Sequence, residues 1–66
     1  MPFDLTDKEK QRVIEALDRL SRSEIERILM AASSFAKWLA STFASIYRKV
    51  CDVINDMWNW LKSCFA

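Results

Sequence analysis

The residues best suited to chemistry in this 66-residue chain are two acids and two thiols. Asp52 and Asp56 are four residues apart and would share one face of a helix, as paired carboxylates for acid–base catalysis must. However, Arg48, Lys49 and Asn55 lie close to them in the sequence. Charges and amides mixed in this way predict a solvated polar face, not a catalytic pair.

Cys51 and Cys64 would lie about 20 Å apart along a continuous helix, too far for a disulfide within one helix. The chain has no His, so neither thiol has the usual activating partner, and two cysteines alone do not complete a zinc site. We expect both thiols to be small buried hydrophobic side chains. The chain also has no Gly, which excludes a phosphate-binding loop. These counts predict a non-enzymatic protein with no metal, cofactor or small-molecule substrate.

Charge divides the chain into two parts within one small domain, residues 1–66. Residues 1–27 carry 13 charges and form a charged head, whereas residues 28–66 carry six and are apolar at 25 of 39 positions. The net charge of +1 provides no strong field for nucleic acid. The sequence Glu24-Ile25-Glu26 argues further against DNA, because acids at the start of a second helix would face phosphates.

The head contains one helix with a clear start. Thr6 and Glu9 have the spacing of a capping box, in which each residue's side chain bonds the backbone N–H of the other. Apolar residues then recur at helical spacing on one face. We expect a helix over about 7–20, with its apolar face formed by Val13, Ile14, Leu17 and Leu20.

A tight turn is expected at residues 21–23. Ser21 with Glu24 and Ser23 with Glu26 form two overlapping capping boxes, and either serine could begin a new helix. The head helix and the next one should therefore meet in a hairpin or corner.

The remaining chain predicts one long amphipathic helix over about 24–64. It contains no Gly, no Pro and no cluster of turn residues, and its apolar residues alternate spacings of four and three as in a heptad seam. The alternative is a three-helix bundle with a break near Ser33-Ser34 or Asn55-Asp56. We favour the continuous helix because a break normally disturbs the phase of such a pattern.

The apolar surface of that helix is too wide for the head helix to cover. Large exposed apolar patches mark interaction sites, so the sequence predicts protein–protein interaction, either with itself as a homo-oligomer or with a larger protein as an adaptor or inhibitor. Aromatic residues are frequent among interface hot spots. The expected interaction residues are Ile28, Phe35, Leu39, Phe43, Ile46, Tyr47, Val50, Ile54, Met57, Trp58, Trp60 and Leu61.

A membrane-associated helix is the alternative function. Residues 28–47 have the length of a membrane span with one charge, but Lys37 lies near the middle, where insertion costs about 2.5–3.5 kcal/mol. Residues 45–66 could instead lie in the interfacial plane through their Trp and Phe side chains. Since the first 27 residues are charged, with no apolar signal segment, we expect a cytoplasmic protein.

Overall fold

The computed structural model describes residues 5–65, and the regular structure of this part is entirely helical. The expected all-α fold is confirmed as a small bundle of short helices. Residues 1–4 of the charged head and residue 66 lie outside the described part. A 3-10 turn at Cys51–Val53 separates the last two α-helices. In chain order the α-helices are Asp7–Asp18 (α1), Arg22–Leu29 (α2), Ala32–Thr42 (α3), Ala44–Val50 (α4) and Ile54–Cys64 (α5).

The capping box at the start of α1 is present as predicted. The Glu9 backbone N–H donates to Thr6 Oγ1 at 3.2 Å, and the Thr6 N–H donates to Glu9 Oε1 at 3.0 Å. The helix ends at Asp18, two residues before the expected end. There the Leu20 N–H donates to the Leu17 carbonyl at 3.0 Å, which tightens the last turn.

The turn that follows lies at residues 19–21, slightly earlier than predicted. Of the two overlapping capping boxes, the first one forms. The Glu24 N–H donates to Ser21 Oγ at 3.3 Å, and the Ser21 N–H donates to Glu24 Oε1 at 3.4 Å. Ser23 therefore lies inside the first turn of α2.

The continuous helix expected over residues 24–64 is corrected by the structure. The chain leaves the helical conformation after Met30, at Phe43 and around the 3-10 turn. Ala31 is extended, at φ −150° and ψ 150°, and Phe43 has φ −136° and ψ 72°. None of these breaks contains Gly or Pro. The breaks at Ala31 and at the 3-10 turn lie close to Ser33-Ser34 and Asn55-Asp56, near which the alternative prediction placed a break, whereas the break at Phe43 was not predicted.

Burial explains why the helix breaks. A straight helix would extend α3, α4 and α5 along about 50 Å, beyond the reach of a 12-residue α1. The breaks let their apolar faces converge on one core. Each backbone hydrogen bond lost at a break costs about 0.5–1.5 kcal/mol, whereas each large apolar side chain that becomes buried contributes about 1.5–3 kcal/mol.

The core draws on every α-helix of the described part. The central helix, α3, packs against α2, α4 and α5. The charged head also contributes buried side chains, since Val13 and Leu17 of its predicted apolar face are fully buried. The buried apolar residues are Leu5, Val13, Leu17, Leu29, Phe35, Leu39, Ile46, Val50, Met57 and Leu61.

One carboxylate joins the head to the rest of the bundle. Glu9 Oε1 caps α1, and Glu9 Oε2 accepts a hydrogen bond from Lys49 Nζ of α4 at 2.8 Å. The Lys49 ammonium and the Thr6 N–H hold the pKa of Glu9 below its ordinary value of 4.5. Because the pKa is lowered on folding, the ionised carboxylate stabilises the fold above pH 4.5, and this stabilisation disappears as the pH falls through the lowered value.

We therefore predict that acid destabilises the wild-type protein more than the Glu9→Gln variant between neutral pH and about pH 3. Urea unfolding followed by circular dichroism at several pH values measures the difference. Lys49→Gln serves as the matched variant and should reduce the acid sensitivity as well. If the free energy of unfolding depended on pH in the same way for all three proteins, the contact between Glu9 and Lys49 would not contribute to the acid sensitivity.

Candidate functional site

The acids and thiols considered for catalysis all lie on the surface. Asp52 and Asp56 are exposed, in keeping with a solvated polar face. The expectation that Cys51 and Cys64 are buried is wrong, because both are exposed free thiols. Val50 and Leu61 are the last buried residues of α4 and α5, and Cys51 and Cys64 follow them at exposed positions.

The predicted interaction residues divide into two groups. Six are buried in the chain's own core, namely Phe35, Leu39, Ile46, Val50, Met57 and Leu61. The other six are half-buried and pack against that core, namely Ile28, Phe43, Tyr47, Ile54, Trp58 and Trp60. The surface that another molecule can reach on these helices is therefore narrower than the sequence suggested.

An open apolar surface lies between α2 and the end of α5. A hollow of about 320 Å³ is lined by Ile25, Glu26, Leu29, Lys62 and Phe65. A second hollow, of about 410 Å³, is also lined by Ile25, Glu26 and Phe65, with additional residues at its other end. The two hollows share these three lining residues, and the surface that they form together is here called the α2–α5 groove.

A tryptophan side chain fixes the spacing of the groove's two walls. Trp58 Nε1 on α5 donates to the carbonyl oxygen of Leu29 at 2.9 Å. Carbonyls in the last turn of a helix have no partner within the helix, so this bond satisfies one of them at the end of α2. Lys62 Nζ lies 3.6 Å from the centroid of the Trp58 ring, a cation–π contact that positions the lysine on the same wall.

Met30 extends the apolar surface at the end of α2. It is 72 % exposed and is the exposed large hydrophobic residue of the described part. Arg22, Glu26 and Met30 are each four residues apart and form one row on the helix surface. Arg22 and Glu26 of this row line the groove, and Met30 follows Glu26 by one helical turn.

We predict that Trp58→Phe lowers the free energy of unfolding by about 1–2 kcal/mol, since it removes a hydrogen bond and leaves a partly buried carbonyl without its donor. Amide hydrogen exchange should accelerate at the end of α2. Trp38→Phe is the control, because Trp38 is also half-buried but lies on α3 within an aromatic cluster with Phe35 and Phe43. If amide hydrogen exchange in α2 were unchanged in Trp58→Phe, the hydrogen bond from Trp58 to the Leu29 carbonyl would not hold the end of this helix.

Sequence reasoning missed the groove because it treated the charged head and the apolar helix as separate surfaces. The groove is formed by one wall from each part. The available signal was the pair Ile25 and Leu29, which are one helical turn apart at the boundary between the charged head and the apolar helix. Phe65 gave no signal of its own, because only the fold-back of α5 brings it beside α2.

Within residues 5–65, no group of three or more Cys, Asp or Glu residues could hold a metal ion. None of the helices in that range has the length and apolarity that crossing a membrane requires. Comparison of the chain with known protein families, characterised proteins and solved structures gives no significant match.

Proposed function

We propose that this protein is a non-enzymatic interaction module that binds a second copy of itself through the α2–α5 groove. The observation that carries the proposal is an open apolar hollow between α2 and α5, together with Met30, which directly follows α2 and is 72 % exposed. Large, flexible apolar side chains at the surface are frequent in protein-binding sites.

The surface area of the chain supports association between molecules that are already folded. The accessible area is 4486 Å², close to the roughly 4,300 Å² expected for a compact monomer of 7.7 kDa. A chain that needed a partner in order to fold would expose considerably more. Since the available face is small, we expect a weak dimer, with Kd of roughly 10–100 μM.

The charges around the groove favour a second copy as its occupant. Asp18 and Glu26 contribute two negative charges, and Arg22 and Lys62 contribute two positive charges. A strongly acidic or basic partner, or an anionic membrane, would meet as much repulsion as attraction there. A surface that carries both signs of charge can bind a second copy of itself, because each charged side chain can pair with an oppositely charged side chain of the other copy across a two-fold interface.

The exposed thiols of Cys51 and Cys64 support a reducing, cytoplasmic location as part of the same proposal. Free surface cysteines persist where glutathione and thioredoxin keep thiols reduced. In an oxidising compartment the same thiols could form disulfides between chains.

Sedimentation velocity from about 5 μM to 1 mM tests the proposal. The wild-type mass should rise from 7.7 kDa toward twice that value. Met30→Glu should weaken association at least about tenfold, because it places a charge in the apolar contact. Ser41→Glu is the control, since Ser41 is exposed on α3 outside the groove, and it should associate like the wild type. A wild-type protein that remains monomeric throughout, or equal association of both variants, would overturn the proposal.

A further inference from the structure

We infer that this chain can exchange α4 and α5 with a second copy, by straightening at Phe43 into a domain-swapped dimer. In that dimer α3 and α4 form one continuous helix, and α4 and α5 of each copy pack on α1, α2 and α3 of the other. The inference is separate from the proposed contact through the α2–α5 groove, because it uses contacts that the single chain already makes within itself.

The backbone at Phe43 departs from a helix at a single residue. The Phe43 N–H donates to the Leu39 carbonyl at 2.7 Å, and the Tyr47 N–H donates to the Phe43 carbonyl at 2.9 Å. Both bonds have the four-residue spacing of an α-helix. The φ of −136° and ψ of 72° at Phe43 break the helical bonds that span it, from the N–H groups of residues 44–46 to the carbonyls of residues 40–42. A helical φ and ψ at this one residue would restore them.

The local sequence does not stop the helix at this position. α1 and α2 begin with capping boxes, whereas within residues 5–65 the start of α4 has no side-chain cap. Residues 41, 42, 44 and 45 are exposed, so straightening changes little of the burial beside Phe43. The bend after α2 is different, because Trp58 Nε1 donates there to the Leu29 carbonyl. We therefore assign the hinge to Phe43, since a short connection that can straighten favours exchange of this kind.

Burial keeps the single chain in its bent form. The Phe43 ring meets the Trp38 ring edge-on, at 6.1 Å between centroids. Positions five apart in a continuous helix differ by about 140° in direction, so this contact depends on the bend.

The same burial identifies the partner as a second copy. α4 and α5 carry four of the ten buried apolar residues of the described part, namely Ile46, Val50, Met57 and Leu61. A single straightened chain would expose all four to water. Another copy of this chain offers α1, α2 and α3 in the form that buries them now, so the core is rebuilt between chains and the broken helical bonds are regained.

The ion pair between Glu9 and Lys49 reports which chain supplies α4. Glu9 Oε2 and Lys49 Nζ lie 2.8 Å apart, and the two residues are on opposite sides of the hinge in the sequence. A carbodiimide joins such a carboxylate and amine through an amide bond. In the bent monomer and in a groove dimer this link stays within one chain, whereas in the swapped dimer it joins two chains.

Cross-linking of mixed chains tests the exchange. Equal amounts of isotope-labelled and unlabelled wild-type chain are unfolded together in urea, refolded at about 10 μM to 1 mM and treated with the carbodiimide. After proteolysis, mass spectrometry should find links between one labelled and one unlabelled peptide. Their share should rise with concentration toward about half of the links between Glu9 and Lys49, the limit for random pairing of chains. Folded chains mixed just before cross-linking are the control and should give single-isotope links, because exchange requires the bundle to open.

Two substitutions at Phe43 test the hinge itself. Phe43→Ala and Phe43→Gly both remove the ring, but alanine favours a helix and glycine opposes it. Because one swapped dimer contains two hinges, Phe43→Ala should exchange about thirtyfold more tightly than Phe43→Gly. Circular dichroism checks that both variants are helical, and the wild type provides the measurement if either is not.

The outcomes separate the exchange from the proposed function. Single-isotope links at 1 mM in both the wild type and Phe43→Ala, or equal shares of mixed links in Phe43→Ala and Phe43→Gly, would overturn the exchange through Phe43. A dimer whose links are all of a single isotope would overturn it as well, while the proposed binding through the α2–α5 groove would stand.

Discussion

Replacement of Phe35 by alanine is expected to lower the free energy of unfolding by about 3–5 kcal/mol. Phe35 is fully buried in α3, the helix that packs against α2, α4 and α5. Its loss removes the transfer free energy of an aromatic ring and leaves a cavity that such short helices fill only in part. A domain of this size has only about 3–5 kcal/mol of total stability, so the variant should be largely unfolded at 25 °C.

Thermal and urea unfolding followed by circular dichroism measure this effect. Ser41→Ala is the control on the same helix, and its exposed side chain predicts a change within about 0.5 kcal/mol. If the two variants had similar stability, α3 would not be the centre of the core.

The second large effect is expected at Leu17. Although it belongs to the charged head, its side chain is fully buried, and Leu17→Ala should destabilise the protein by about 2–5 kcal/mol. The result distinguishes an α1 that completes the core from a solvated helix attached to an independent bundle.

Ile14→Ala is the matched control for Leu17. Ile14 lies on the same helix but is half-buried, so Ile14→Ala should lower the free energy of unfolding clearly less than Leu17→Ala does. Cooperative unfolding should also be retained, with a single transition for α1 and the other helices. If Leu17→Ala left the midpoint of the unfolding transition unchanged, or if α1 unfolded in a separate transition, the head would not stabilise the core.

The starts of the first two helices could be predicted from sequence because they depend on local contacts. Thr6 with Glu9, and Ser21 with Glu24, are three residues apart, and each pair forms the expected reciprocal bonds. A capping box can be recognised without knowing the rest of the fold, since its partners lie within one turn of helix.

The break at Phe43 could not be predicted in this way, and the break after Met30 was predicted only by the less favoured alternative. Neither position carries a turn residue, and both retain the phase of the apolar pattern. The chain bends there because distant side chains gain burial when α3, α4 and α5 converge, a tertiary effect that outweighs local helix propensity. The groove was missed for the same reason: Phe65 and Ile25 are 40 positions apart in the sequence and become neighbours only after the chain folds back.

The most direct test of the central claim, self-association through the α2–α5 groove, is nuclear magnetic resonance on an equal mixture of isotope-labelled and unlabelled chains at about 1 mM. Filtered experiments detect only contacts between two molecules. We predict nuclear Overhauser effects from Ile25, Leu29 and Met30 of one chain to the groove residues of the other. The absence of intermolecular effects, or effects confined to the outer faces of α3 and α4, would contradict the account.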